Sequence, residues 1–536
     1  MRDYTGTGAL LRLAFRLDRV RATAWIAGLA LFTAASAASS KNTYGSASER
    51  ESLAESVDGN PAMLALGGRA FDLGSIGGVT AFQLVATMAT VIGLMSVLLV
   101  VRHTRAEEEA GRVDLVGSAV VGRKAWPTAA LLAVAAVNAV VALLSALALM
   151  SAGLPAAGSF AYAVGCAATG VLFGAVAAAA AQLAANTRTA TGIAATVLGL
   201  AYLLRAAGDA AAGAADDFLS WLTWVSPVGW AEMMRPYAGE RWWVLLLFAA
   251  ATATLVATTG VLLDRRDIGG GILRPKLGPA AAAPALRSPL ALAWRLQRGS
   301  LLAWSLGFFV VGIAFGGVAE GMIGVAEDNP DVEEMLRDFG GSGAIVDVFL
   351  GVITSLIAVT AGAYAVQSAL RLRSEETAHR AVPLLSAPVH RLRWAASHLT
   401  VAAVGSAVVL ASAGLGIGLS HGLRSSDIGG EVPRALGAAL AYLPAVWTLI
   451  GLSALLFGVL PNLTTAVWGV LAVVLVVHQF GDLLKLDQAV QNLSPFSHVP
   501  TLPAADFEAV PLLLLLVLAA VLTAGGLAGF RRRDVR

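Results

Sequence analysis

From Val79 to Val101 the chain runs for 23 residues without an Asp, Glu, Lys, Arg or His. About 20 mostly apolar residues is the length at which a helix crosses the hydrocarbon core of a bilayer. A single segment satisfies all its backbone donors and acceptors in that core only as a helix. The same criterion picks out twelve segments, near 22–38, 79–101, 127–151, 159–184, 190–206, 243–263, 299–318, 347–370, 396–419, 435–460, 464–480 and 511–530. Composition agrees: 13% of residues are charged and the mean hydropathy is +0.74, where soluble domains carry roughly 25% charged residues. The expected fold is an all-α integral membrane protein. The fifth segment of each half is short, set off from its predecessor by "NTRT" or "PNLTT".

The basic residues set an orientation, because cytoplasmic loops carry excess Lys and Arg. Segments 102–126, 264–298 and 371–394 and the tail "RRRDVR" are basic, whereas segment 319–346 holds seven acids against Arg337 alone. Both termini are therefore expected on the cytoplasmic side. The basic–apolar start followed by "ASAAS" has the outline of a signal peptide. A similar arrangement recurs mid-chain, "FRLDRVRATAWIAG" against "WRLQRGSLLAWSLG", so we expect the first apolar run to be a retained span. A net charge of +2 with no separate basic face argues against nucleic acid as a partner. Cys166 is the only cysteine and is expected to be a small buried side chain.

"RAEEEAGRVDLVGSAVVGRKAW" (Arg105–Trp126) and "RSEETAHRAVPLLSAPVHRLRW" (Arg373–Trp394) align without a gap at an offset of 268, half of 536, with ten of 22 positions identical. The shared positions include Arg105/Arg373, Glu107/Glu375, Glu108/Glu376, Arg112/Arg380, Arg123/Arg391 and Trp126/Trp394. Shared alanine means little in such a chain, but shared charge is informative. "VSP" at Val225 meets "LSP" at Leu493, and "RRDI" at Arg265 meets "RRDV" at Arg532. The chain is thus expected to be two parallel six-helix repeats, 1–263 and 294–536, joined by a cytoplasmic linker over 264–293. Topology needs only bases. That both copies also keep paired carboxylates points to docking of a soluble partner.

The remaining candidates are weaker. Arg12, Arg16 and Arg19 oppose Leu10, Leu13, Ala14 and Leu17 at helical spacing, as in a helix lying in the membrane interface. The alternative is a cytoplasmic extension of the first span. Gln83, Thr87, Asn138 and Gln367 are polar residues within spans, candidates for an uncharged substrate path or for bonds between helices. Trp221, Trp224 and Trp230, with Phe496 in the second half, could form an external gate or an interfacial aromatic belt. No catalytic or metal-ligand constellation is present.

The paired loops carry a resemblance. Arg-x-Glu-Glu followed by a Leu-Leu-x-Ser/Ala-x-Pro-Val-x-Arg pattern resembles the loop after the second span in ABC exporter permeases of the type V fold (ABC-2 type). "LLSAPVHR" (Leu384–Arg391) follows it closely, while "LVGSAVVGR" (Leu115–Arg123) lacks the Pro. The order of segments resembles the fused two-half, actinobacterial exporters of polyketide antibiotics (tetronasin type). The resemblance implies a coupling helix in each half, built around the ten repeated charges, and re-entrant external helices before each last span. It also implies two copies of a separate ATP-binding subunit carrying ATP and Mg, a bacterial plasma-membrane location, and export of drugs, antibiotics or other amphipathic molecules. No Lys follows a Gly anywhere, so the chain has no P-loop of its own. Two other readings stay open: a proton-driven secondary transporter of twelve spans, and a membrane scaffold or sensor that transports nothing.

Overall fold

The computed structural model describes residues 2–58, 60–113, 120–212, 219–267, 269–273, 280–319, 345–480 and 487–533. The acidic segment that weighed on the orientation and most of the Leu115–Arg123 pattern lie outside them. The described residues form helices and no strands, in two compact units that part at Gly278/Pro279. Among the described residues, eleven helices are long and apolar enough to span a membrane. The protein is an all-α, multi-pass integral membrane protein.

Unit 1 contains α1 (Thr7–Thr43), α2 (Ala47–Val57), α3 (Pro61–Gly67), α4 (Ile76–Val101), α5 (Ala125–Ser151), α6 (Ala156–Leu183), α7 (Thr187–Ala212), α8 (Leu222–Val225), α9 (Pro227–Met233) and α10 (Val244–Asp264). Helices α4 and α6 are mostly buried and α1 and α10 mostly exposed, which places α4 and α6 at the centre. Apolar side chains gain little by leaving lipid for protein, so close backbone approach carries the packing. A Cβ on Gly170 would sit 2.2 Å from the Asn138 amide oxygen. Only glycine lets α5 and α6 meet there.

Helices α2 and α3 lie at the end of the unit opposite residues 102–109. Ser46 and Glu49 close a capping box at the start of α2, satisfying backbone donors the helix leaves free. Leu53, Val57, Leu64, Leu73, Val79 and Phe82 form a small core of their own beneath these helices.

Unit 2 contains α11 (Pro289–Val318), α12 (Ile345–Ala369), α13 (Arg371–Thr377), α14 (Ala381–Ser386), α15 (Arg391–Arg424), α16 (Ile428–Ala441), α17 (Leu443–Val459), α18 (Ala466–Phe480), α19 (Gln488–Gln491) and α20 (Ala509–Arg532). Pro444 at the start of α17 supplies no backbone donor, and a one-residue turn at Tyr442 divides the single span Ile428–Val459 into α16 and α17. Helices α17 and α20 touch backbone to backbone: a Cβ on Gly458 would lie 1.9 Å from the Gly526 carbonyl oxygen.

Three expectations change. The span expected over 464–480 is a helix of 15 residues, about 22 Å at 1.5 Å per residue and short of a hydrocarbon core of about 30 Å. It starts only after the 3-10 turn Pro461–Leu463. Arg12, Arg16 and Arg19 do not form a separate interfacial helix: α1 is continuous for 37 residues and carries them as an extension of the first span. All three are exposed, but so are Leu13 and Leu17, and the buried stripe is Leu10, Ala14 and Asp18. The stretch 264–293 is not linker throughout either. Residues up to Leu273 pack into unit 1, where Ile272 and Leu273 donate to the Gln182 and Leu183 carbonyls, and α11 begins at Pro289.

Candidate coupling site

Regular α-helix stops at equivalent places in the two units. Helix α4 passes at Arg102 into a π-helical stretch, Arg102–Ala106, and then one short turn, Glu107–Glu109. Helix α12 ends at Ala369, and Leu370, 268 positions after Arg102, links it to α13. A wider turn shifts the phase of all side chains beyond it. The π-helical turn in unit 1 and the simple break at Leu370 in unit 2 each deliver a run of Arg and Glu against the residues that leave the last helix.

In unit 1 the centre is Glu108. Its carboxylate takes Arg105 Nη1 at 2.8 Å, both Nη atoms of Arg266 at 2.6 and 2.8 Å, and the Gly269 backbone N–H at 2.6 Å. Arg266 Nε donates to Gln182 Oε1 at 2.7 Å, and Arg105 Nη2 to the Gly270 carbonyl at 2.9 Å. The Arg105, Glu108 and Arg266 side chains are at most 8% exposed. A carboxylate so buried is stable only when its lone pairs are met by charged donors. Around this core Glu107 takes Arg112 through two bonds, 2.5 and 2.8 Å. Glu109 accepts the Thr187 N–H at the start of α7 at 2.8 Å. Arg123 donates to the Leu263 carbonyl at 2.7 Å and to the Arg266 carbonyl.

Unit 2 repeats the plan with fewer contacts. Glu376 takes Arg373 at 3.1 Å and Arg533 at 2.7 Å. Glu375 pairs with Arg380 at 3.0 Å and Arg371 at 2.8 Å. Arg391 donates to the Arg533 carbonyl at 3.1 Å. The Arg533 guanidinium also lies over the Phe457 and Phe530 rings, 4.9 and 5.5 Å from their centroids, a cation–π arrangement.

All ten repeated charges therefore find partners inside their own unit. Glu108 and Glu376 fasten the segment after the second span to the exit from the last one. Their counterparts Arg266 and Arg533, which sequence reasoning had not joined to them, come from "RRDI" and "RRDV", whose recurrence at nearly the same offset was the available signal. What stays exposed for contact is different: Arg112 and Arg380, and the surface of α14 with Val382 and Pro383.

A second buried group ties α1 to this region. Asp18 forms ion pairs with Arg102, whose Nε lies 2.9 Å away, and with His103, whose carbonyl accepts Trp126 Nε1 at 2.6 Å. None of this was anticipated, because Asp18 is a lone acid among arginines.

The other candidates divide. Gln83 and Thr87 are exposed on one stripe of α4, with Gln83 Oε1 accepting the Ser40 hydroxyl at 2.9 Å. Gln367 is exposed and accepts Trp304 Nε1 at 2.8 Å. Asn138 is fully buried and donates to Ser96 Oγ at 3.0 Å and to the Val134 carbonyl at 2.9 Å. It is a bond between helices and lines no path. Trp221 is exposed. Trp224 stacks on Trp243, and Trp230 meets Phe248 edge-on while donating to the Trp224 carbonyl at 2.6 Å. Phe496 is 1% exposed and packs against Tyr442 and His478, so it is a core side chain and not part of a gate.

At the opposite end of unit 1 lies a buried charged cluster. Arg205 pairs with Glu232 at 3.1 Å and Asp209 at 3.5 Å, and Arg69 reaches Asp209 at 3.2 Å. Arg205 and Asp209 have no exposed side-chain surface. Gly68 is required here, with a φ of +104 degrees and a Cβ position only 2.7 Å from Glu232 Oε1. The cluster clamps α3, α7 and α9 together.

Spanning helices in two similarly ordered units, each fastened by an Arg–Glu pair, define a multi-pass membrane protein. The family described as "Multidrug efflux system permease Rv1217c, C-terminal domain" matches residues 8–263 and 286–531, one stretch in each unit. The chain belongs to this family. It is 41% identical over 534 residues to the "Multidrug efflux system permease protein Rv1217c" of Mycobacterium tuberculosis, covering 99% of this chain and 96% of that protein.

Proposed function

We propose that the chain is the transmembrane permease of an ATP-driven ABC exporter of drugs, antibiotics or other amphipathic molecules. The observation that carries the reading is the fastener built twice, Arg105–Glu108–Arg266 and Arg373–Glu376–Arg533, beside loops that resemble coupling helices. Two copies of a separate ATP-binding subunit, carrying ATP and Mg, dock on the exposed surfaces of these loops. The basic loops and both termini face the cytoplasm, in a bacterial plasma membrane.

In this mechanism the repeated carboxylates do not touch the ATPase. They make each loop rigid with the end of the last span, so a push on the loop moves that helix instead of being lost in the loop. The resemblance and the relative's printed name support export of small molecules. The exposed stripe with Gln83 and Thr87 is the proposed contact for substrate, since uncharged donors and acceptors accept varied amphipathic molecules.

The test is reconstitution with the ATPase, followed by transport and ATP hydrolysis of Glu108→Arg, Arg266→Glu and the double exchange. Each single reversal is expected to lower transport per ATP at least tenfold, with the exchange recovering part of it. Equal coupling in all three, or transport driven by a proton gradient without ATP, overturns the reading.

A further inference from the structure

Unit 1 holds a cavity of about 580 Å³ at the end opposite Glu108, between α2, the residues after α3 and the end of α7. Drug-sized ligands occupy pockets of roughly 300–1,000 Å³ that are mostly apolar, with a few polar groups that fix orientation. Val57, Leu64, Phe71 and Leu73 make an apolar floor, three of them from the small core under α2. Glu51, Glu55 and Asp58 make the rim, on one side of α2 and its end. None of these carboxylates has an ion-pair or hydrogen-bond partner among the described residues. Arg69 also lines the cavity, but its charge is committed to Asp209 and the Ser220 carbonyl. Arg235 lies over the Phe71 ring at 4.5 Å. Three free carboxylates against that one guanidinium leave a surplus of negative charge.

A second observation lies behind the floor. Arg69 and Phe71 also line a small inner space of about 20 Å³, with Glu232 on its wall. Glu232 is 4% exposed, and its Oε2 has no hydrogen-bond partner. A buried carboxylate oxygen left unmet is costly unless a donor or cation reaches it. The inner space is large enough for about one water molecule. Glu232 Oε1 is held by Arg205, so the surplus negative charge at the cavity comes from the rim. No three His, Cys, Asp or Glu side chains among the described residues converge as metal ligands, so the arrangement suits an organic cation better than a metal ion.

We propose that this cavity binds lipophilic organic cations, the apolar body on the Val57–Leu64–Leu73 floor and the positive charge toward Glu51, Glu55 and Asp58. The site is defined by unit 1 alone and its test uses no ATPase, so it stands or falls separately from the exporter mechanism.

The probes are tetraphenylphosphonium and tetraphenylborate, ions matched in size and opposite in charge, on the purified full chain. Ala54→Cys places a thiol on the cavity wall, while the native Cys166 is buried, and maleimide labelling at residue 54 reports occupancy. Tetraphenylphosphonium is expected to slow labelling saturably and at least tenfold more potently than tetraphenylborate. Glu51→Gln/Glu55→Gln/Asp58→Asn should weaken that protection at least tenfold, and Glu508→Gln in unit 2 should leave it unchanged. If the triple variant melts below its parent, Glu55→Gln alone is expected to weaken protection about threefold. Absent protection, equal protection by tetraphenylborate, or undiminished protection in the neutralised variants overturns the proposal.

Discussion

The two units solve one problem with different chemistry. Where α1 meets the end of α4, Asp18 holds Arg102 and His103 in an ionic group. The aligned position in unit 2 is Gln297, on α11, which binds Ser368 and His398 through neutral hydrogen bonds. Arg371, at the position of His103, turns instead to Glu375. The fasteners a turn further on are kept in both units. Glu108 serves two guanidinium groups and a backbone N–H within hydrogen-bond distance, whereas Glu376 serves two guanidinium groups. Duplication has preserved the link to the last span and relaxed the link to the first. The preserved part is the one that the proposed mechanism needs twice.

The largest effect expected from breaking this comparison is at the fasteners. Glu108→Ala leaves Arg105 and Arg266 buried without their carboxylate, and removing one partner of a buried pair costs about 3–5 kcal/mol. Glu376→Ala should cost less, because Arg533 keeps its place over two aromatic rings. Thermal unfolding of both variants in one detergent measures the order; a larger loss for Glu376→Ala would reverse it.

An intermediate effect is expected at the first helix. Asp18→Asn should destabilise by about 1–3 kcal/mol, the range for unmet buried hydrogen-bonding groups. Gln297→Leu should cost less, since it removes only neutral bonds. Proteolysis at the first turns of α1 and of α11 would report the difference, and equal sensitivity of the two variants would show that the ionic and neutral links are equivalent.

The smallest effect is at the edge of unit 1, in an element for which unit 2 has no described equivalent. The Ser46 backbone N–H and hydroxyl hold the Glu49 carboxyl below its ordinary range. A depressed carboxylate contributes stability that is present above its unfolded-state value and lost as pH falls through its folded-state value. Glu49→Gln should therefore reduce protection of α2 from hydrogen exchange slightly near neutral pH, and the difference from the parent should vanish in acid.

Much of this comparison was visible in residue order. The 268-residue offset marked six recurring positions, of which the five charged ones find equivalent partners in the two units, whereas Trp126 donates to the His103 carbonyl and Trp394 packs on His398 and Phe530. Their role was not visible. Paired carboxylates in a cytoplasmic loop suggested a docking surface, yet Glu108 and Glu376 are turned inward onto Arg266 and Arg533, more than 150 residues away. Asn138 and Gln83 looked equivalent as polar residues within spans. Only packing separated them, burying the one against Ser96 and leaving the other exposed.

Residue order alone shows that the chain is a membrane protein, where most of its spans lie, and that its charged loops recur at an offset of 268. Those properties follow from the length and period of apolar runs, which a bilayer reads locally. Tertiary structure decided which charges are satisfied internally and which surfaces remain free, the continuous α1, and the short α18. These depend on partners distant along the chain and on the room left between helices, and neither is encoded in any single stretch of residues.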